Sequence, residues 1–138
     1  MSVRPLVVGV PADLEALRVF AEETAEERLA QCDVLELRLD LLKTGSEELL
    51  RLLEPVETPL LITARHPDEG GQGGLDASQR WSLVEPFLGR ASLWDVELRS
   101  LGDLRDGIRQ AQAAGVGVFG SFHDFERTPP EEVLEGAA

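Results

Sequence analysis

An α/β fold with a parallel sheet, built from about five of the eight units of a (βα)8 barrel, is predicted by three features of the sequence. Short runs of branched residues alternate with longer runs of helical periodicity, which implies parallel strands joined by helical crossovers. Several strand segments carry charge on one face and apolar side chains on the other, whereas an open sheet covered by helices on both sides is apolar on both faces. The charges gather toward the C-terminal ends of the strands, where the interior of a barrel is polar and functional.

The elements follow in order. "PLVVGV" at 5–10 predicts the first strand, and "ADLEALRVFAEETAEERLAQ" at 12–31 predicts one helix. "DVLELRLD" (33–40) is followed by "GSEELLRLLEP", and "PLLITARH" (59–66) by "DASQRWSLVEPFLG". "LWDVELR" (93–99) is followed by "SLGDLRDGIRQAQAAG", and "VGVFGSFHDF" (116–125) by "TPPEEVLEGAA", which is expected to open a fifth helix. Ser46 and Asp76 are placed as N-caps, Gly115 as a helix C-cap, and Pro129 or Pro130 suits a first helical turn.

Side chains alternate along a strand, so Leu35, Leu37 and Leu39 share one face while Glu36, Arg38 and Asp40 share the other. Trp94, Val96 and Leu98 oppose Asp95, Glu97 and Arg99 in the same way; Thr63 joins Arg65, and Ser121 joins His123. A complete barrel typically takes roughly 250 residues. The 138 residues read as a single domain, the N-terminal part of a barrel. The first and fifth strands are then expected to be open edges unless something covers them. A flavodoxin-like open sheet is the competing arrangement, and the charged strand faces count against it.

Composition narrows the function classes. A formal net charge of −13 disfavours nucleic-acid and membrane-surface binding. The single cysteine, Cys32, can form no internal disulfide, and no Cys/His cluster suggests a metal site. The N-terminal apolar run is too short for a signal sequence or a span, so a cytoplasmic protein is expected.

His123, Glu97, Arg65, Arg38 and Glu36 come from four successive strands, near their C-terminal ends and on the inward face. A histidine titrates near neutrality and serves as general acid and base, and a carboxylate such as Glu97 can orient it. Arginines facing the same cavity suit a small substrate with hydroxyl or carboxylate oxygens. His66 reads as a loop residue, Cys32 as a buried filler, and Trp81 and Trp94 as packing between helices and sheet. "DEGGQGG" at 68–74 reads from the residues as a plain flexible loop.

"ELRLD", "TARHPDEGG", "DVEL" and "SFHDFERTP", in that order and spacing, resemble the type I 3-dehydroquinate dehydratases over essentially the whole chain. The resemblance implies a (βα)8 barrel, usually dimeric, that removes water from 3-dehydroquinate to give 3-dehydroshikimate in the shikimate pathway. No metal or external cofactor is implied. In that family a lysine on the sixth strand forms an imine with the substrate ketone, and a histidine moves the protons. By resemblance His123 is the general acid/base, Glu97 orients it, Glu36, Arg38 and Arg65 bind substrate, and the 68–74 loop lies near the site, as either a gate or a plain flexible loop. Five strands are read in the given residues, so the family's lysine-bearing sixth strand is not expected among them, and the only lysine, Lys43, follows strand 2 and is expected to face solvent. Two readings follow: a dehydratase lacking its lysine-bearing part, inactive by itself, or a non-catalytic remnant that binds a quinate-like acid or a partner.

Overall fold

The computed structural model describes residues 5–122 and 134–135. Five parallel strands form one sheet in sequence order: β1 (Val8–Gly9), β2 (Val34–Arg38), β3 (Leu60–Thr63), β4 (Leu93–Glu97) and β5 (Gly117–Ser121). A sixth, two-residue strand, β6 (Leu134–Glu135), pairs antiparallel with β5. The helices are α1 (Leu14–Glu22), α2 (Ala25–Gln31), α3 (Leu39–Leu42), α4 (Ser46–Leu53), α5 (Ala77–Val84) and α6 (Arg105–Ala113). Strand order equal to chain order, with a helical crossover at each step, is how a (βα) barrel grows, and the predicted fold class is observed.

Alternation along the strands sorts the side chains as the sequence predicts. Leu35, Leu37, Trp94 and Val96 enter one apolar core with Leu17, Phe20, Leu49, Leu53, Val84, Phe87 and Ala111 from the helices. Trp81 on α5 stacks at a tilt on Trp94, with ring centroids 5.6 Å apart, so these two tryptophans do join helix to sheet. Gly107 on α6 lets that indole approach, because a Cβ there would lie 2.6 Å from the Trp81 ring. Cys32 is buried against Gly9, as a small apolar filler.

Three expectations are corrected. The helix predicted over 12–31 is two helices, broken after Glu22. Thr24 caps α2 in a reciprocal box: its Oγ1 accepts the Glu27 amide at 3.1 Å, and Glu27 Oε1 accepts the Thr24 amide at 3.0 Å. Arg28, buried on α2, donates to the carbonyls of Ala21 and Glu23 at the end of α1, and to Pro55 O at 2.8 Å. A buried arginine thus satisfies the acceptors that the break exposes. Thr24→Ala is expected to lower stability by about 1 kcal/mol, measured as a shift of the urea midpoint at unchanged slope.

The second correction concerns caps. Gly45, not Ser46, is the N-cap of α4, and Ser46 is the first helical residue. Asp76 does cap α5, in a box with Gln79, and Gly115, at φ +87°, follows the C-cap of α6 as expected. The third lies after β5. Where a fifth helix is expected, Leu134–Glu135 instead pair with Gly120 and Phe119, giving an edge strand partners for its backbone groups. Residues 123–133, with Pro129 and Pro130, lie outside the described residues.

Among the described residues β1 is paired on one side only, by β2. Around it Leu6, Val8, Val10, Val19 and Leu29 are exposed apolar side chains. Two of these, Val10 and Val19, line a groove of about 370 Å³ together with Phe20 and Cys32. No helix among the described residues is long and apolar enough to cross a membrane.

Candidate active site

The polar strand faces converge at the C-terminal ends of β2 to β5. Each side chain reaches its neighbour because parallel register sets the strand ends side by side: Arg38 pairs with Thr63, Thr63 with Asp95, and Glu97 with Ser121. Thr63 Oγ1 donates to Glu36 Oε2 at 2.7 Å. Arg65, two residues beyond Thr63, is the hub. Its Nη1 donates to Glu97 Oε2 at 2.8 Å, to Ser121 Oγ at 3.1 Å and to Asp95 Oδ1 at 3.3 Å, and its Nη2 donates to Asp95 Oδ2 at 2.9 Å. Ser121 Oγ in turn donates to Asp95 Oδ1.

The cluster is buried: Arg65, Asp95, Glu97 and Ser121 are 6%, 7%, 1% and 3% exposed. Burial alone would lower the Arg65 pKa. The hydrogen bond and charge of Asp95, with the charges of Glu97 and Glu36, outweigh it and hold the guanidinium protonated. Arg65 is thus shared between two buried carboxyl groups, those of Asp95 and Glu97.

Glu97 is engaged on both oxygens. Oε2 accepts from Arg65, and Oε1 accepts from Ser100 Oγ at 3.2 Å, itself bonded to Arg80 Nη2 at 3.2 Å. Arg80 on α5 also donates to Leu75 O at 2.8 Å, so the support of Glu97 runs back into a helix cap. Glu36 and Arg38 are the half-buried members, and Arg38 grips Asp40 through two bonds, Nε to Oδ1 at 3.0 Å and Nη2 to Oδ2 at 2.7 Å.

The loop after β3 folds against this rim. A one-turn 3-10 helix, Pro67–Glu69, begins with His66, whose Nδ1 accepts the Asp68 amide at 2.9 Å. His66 is a loop-capping residue, as expected. Glu69 is 2% exposed and faces Arg99 Nε at 2.7 Å, while Asp68 meets Arg99 Nη1 at 3.2 Å. These ion pairs tie the start of the 68–74 loop to Arg99, just beyond β4.

The structure thus brings Arg65 and Glu97 into contact, with Glu36 and Arg38 beside them on the same rim. His123 lies outside the described residues; Ser121, two positions earlier on β5, faces the cluster. Sequence reasoning passed over Asp95, Ser121, Asp40 and Glu69 as site residues. Asp95 and Ser121 sit on the inward face by strand alternation, and that signal was available, whereas Asp40, read as the end of the second strand, lies in the first turn of α3. Lys43 is exposed and left-handed, φ 49°, in the turn after α3, outside the cluster.

Known proteins are similar to this chain in sequence and in structure. A 3-dehydroquinate dehydratase of Pyrococcus abyssi is 40% identical over 104 residues, which cover 74% of this chain and 46% of that protein. The one from Methanococcoides burtonii is 34% identical, covering 89% and 59%. The crystal structure of the type I 3-dehydroquinate dehydratase from Clostridium difficile superposes with a TM-score of 0.76 at 27% identity, covering 93% of this chain and 54% of that one. That from Aquifex aeolicus superposes at 0.70 and 29%. The chain spans about half the length of the curated relatives it matches. The sequence model of type I 3-dehydroquinase matches residues 10–137, and with that match the strand-end cluster has its context: the chain belongs to the type I 3-dehydroquinase family.

Proposed function

We propose that this chain carries the substrate-binding and acid–base half of a 3-dehydroquinate dehydratase, and that turnover requires a lysine-bearing sixth strand. The observation that carries the reading is the Arg65 hub, which joins the ends of β3, β4 and β5 at the rim where a barrel enzyme does its chemistry. His123 would move protons, with Glu97 orienting the imidazole through lone pairs not used by Arg65 and Ser100. Glu36 and Arg38 would meet substrate hydroxyls. Arg65, its Nη groups committed to carboxylates, would lend positive charge from beneath. The imine would come from a lysine elsewhere, since Lys43 is exposed in the turn after α3. The groove beside β1 and its exposed apolar rim suit the remainder of a closed barrel. The same reading carries a homodimer, a cytoplasmic location and no external cofactor.

Borohydride trapping tests it. The 138-residue chain is incubated with 3-dehydroquinate and reductant, then weighed intact. The expected result is no adduct on this chain and a reduced imine on a chain continued through a lysine-bearing sixth strand. An adduct mapped to Lys43 would overturn the assignment. The one-sided pairing of β1 among the described residues supports a second reading, a non-catalytic remnant that binds a quinate-like acid or a partner, which predicts ligand binding at best and no turnover.

A further inference from the structure

Asp40, in the first turn of α3, is 4% exposed and takes a hydrogen bond at each of four points. Oδ1 accepts from Arg38 Nε at 3.0 Å and from the Arg65 backbone amide at 3.3 Å. Oδ2 accepts from Arg38 Nη2 at 2.7 Å and from the Gln72 amide at 3.1 Å. A carboxylate offers about four lone-pair sites, so its accepting capacity is matched to its surroundings. Burial alone would raise its pKa. The bond from Arg38 and the amides of Gln72 and Arg65 outweigh it, holding the carboxyl below its ordinary 3.8.

The arrangement links pieces that are far apart in sequence. Two parallel N–H bonds fix the plane of the Arg38 guanidinium, which keeps a half-buried face toward the rim. The amide of Gln72 belongs to the loop that follows the 3-10 helix, and the amide of Arg65 begins the segment leading into it. Each oxygen serves one arginine N–H and one backbone N–H. An asparagine in either flip would turn an amide donor toward one of each.

We propose that Asp40 is a positioning residue that couples the docking of the 66–72 loop to the aim of Arg38. Its effect on ligand affinity rests on the dehydratase reading above, whereas the coupling itself does not. Amide hydrogen exchange in the 138-residue chain reads the coupling. Arg38→Ala leaves the loop's own atoms in place, yet releasing the charged bonds is expected to speed Gln72 exchange about tenfold or more, with Leu37 and Ile62 still protected. A merely structural loss would move all three together. Calorimetry with 3-dehydroquinate reads the consequence. Asp40→Asn is expected to weaken binding about tenfold, and the double variant to bind no worse than Arg38→Ala alone.

Unchanged Gln72 exchange in Arg38→Ala, or additive losses in the double variant, would overturn the coupling. If the wild-type chain does not bind 3-dehydroquinate, the dehydratase reading of this chain falls, and Gln72 exchange decides the coupling by itself. It decides likewise if Asp40→Asn does not fold.

Discussion

Arg65→Met is expected to destabilise the chain by about 3 to 5 kcal/mol, a large part of the stability of an ordinary domain. The cause is what remains rather than what is removed. Asp95 and Glu97 are almost wholly buried, and Arg65 is the cation that meets both. Without it two carboxylates face each other and Ser121 in a site that excludes water, and one must take up a proton for the fold to survive. Urea unfolding measures the loss. The same measurement on Arg65→Met combined with Asp95→Leu and Glu97→Met separates a costly leftover charge from a valuable ion pair. Replacing a whole buried ionic cluster by apolar groups is often close to neutral, so the triple variant should recover most of the stability while abolishing ligand binding. Recovery of stability without function would mark the cluster as a site and not as a structural brace. A triple variant as unstable as the single one would argue the reverse.

The same cluster shows what a sequence reveals about a site. Period-two alternation on β2 and β4 places Glu36, Arg38 and Glu97 on one face, and the structure has them there, because one face must enter the apolar core. Alternation says nothing of register, so the partner of Arg65 on the neighbouring strand was not legible: Asp95 reads as one more inward charge until Thr63 is seen beside it. The break between α1 and α2 had a signal, the "TAEE" capping box at 24–27, overridden by a long apolar period. Arg28 had none, since a helical arginine ordinarily reads as surface and its acceptors, the carbonyls of Ala21, Glu23 and Pro55 and the Glu57 carboxylate, are brought to it only by the fold. The strand at Leu134–Glu135 is set by the open edge of β5, a tertiary demand that local propensity does not contain.

Gly71→Ala is expected to do comparable harm by a different route. A Cβ at Gly71 would lie 2.0 Å from Arg65 O, 2.7 Å from Arg65 C and 2.9 Å from His66 C. All three are backbone atoms of the segment just after β3, so no side chain can rotate away and the loop itself must move. That motion breaks the bond from the Gly71 amide to His66 O, 3.0 Å, and draws the Gln72 amide off Asp40. Overpacking of this kind costs about 1 to 3 kcal/mol, and here its upper end is expected, since a charged hydrogen bond is lost with it. Gly89→Ala is the control: a Cβ there meets nothing within 4 Å, so its effect should stay within about 0.5 kcal/mol. Thermal unfolding gives the stability change, and hydrogen exchange at Gln72 gives the loop. If Gly71→Ala unfolds at the wild-type temperature with Gln72 still protected, the loop has room that the backbone contacts deny, and the close approach to Arg65 is not what holds it to the rim.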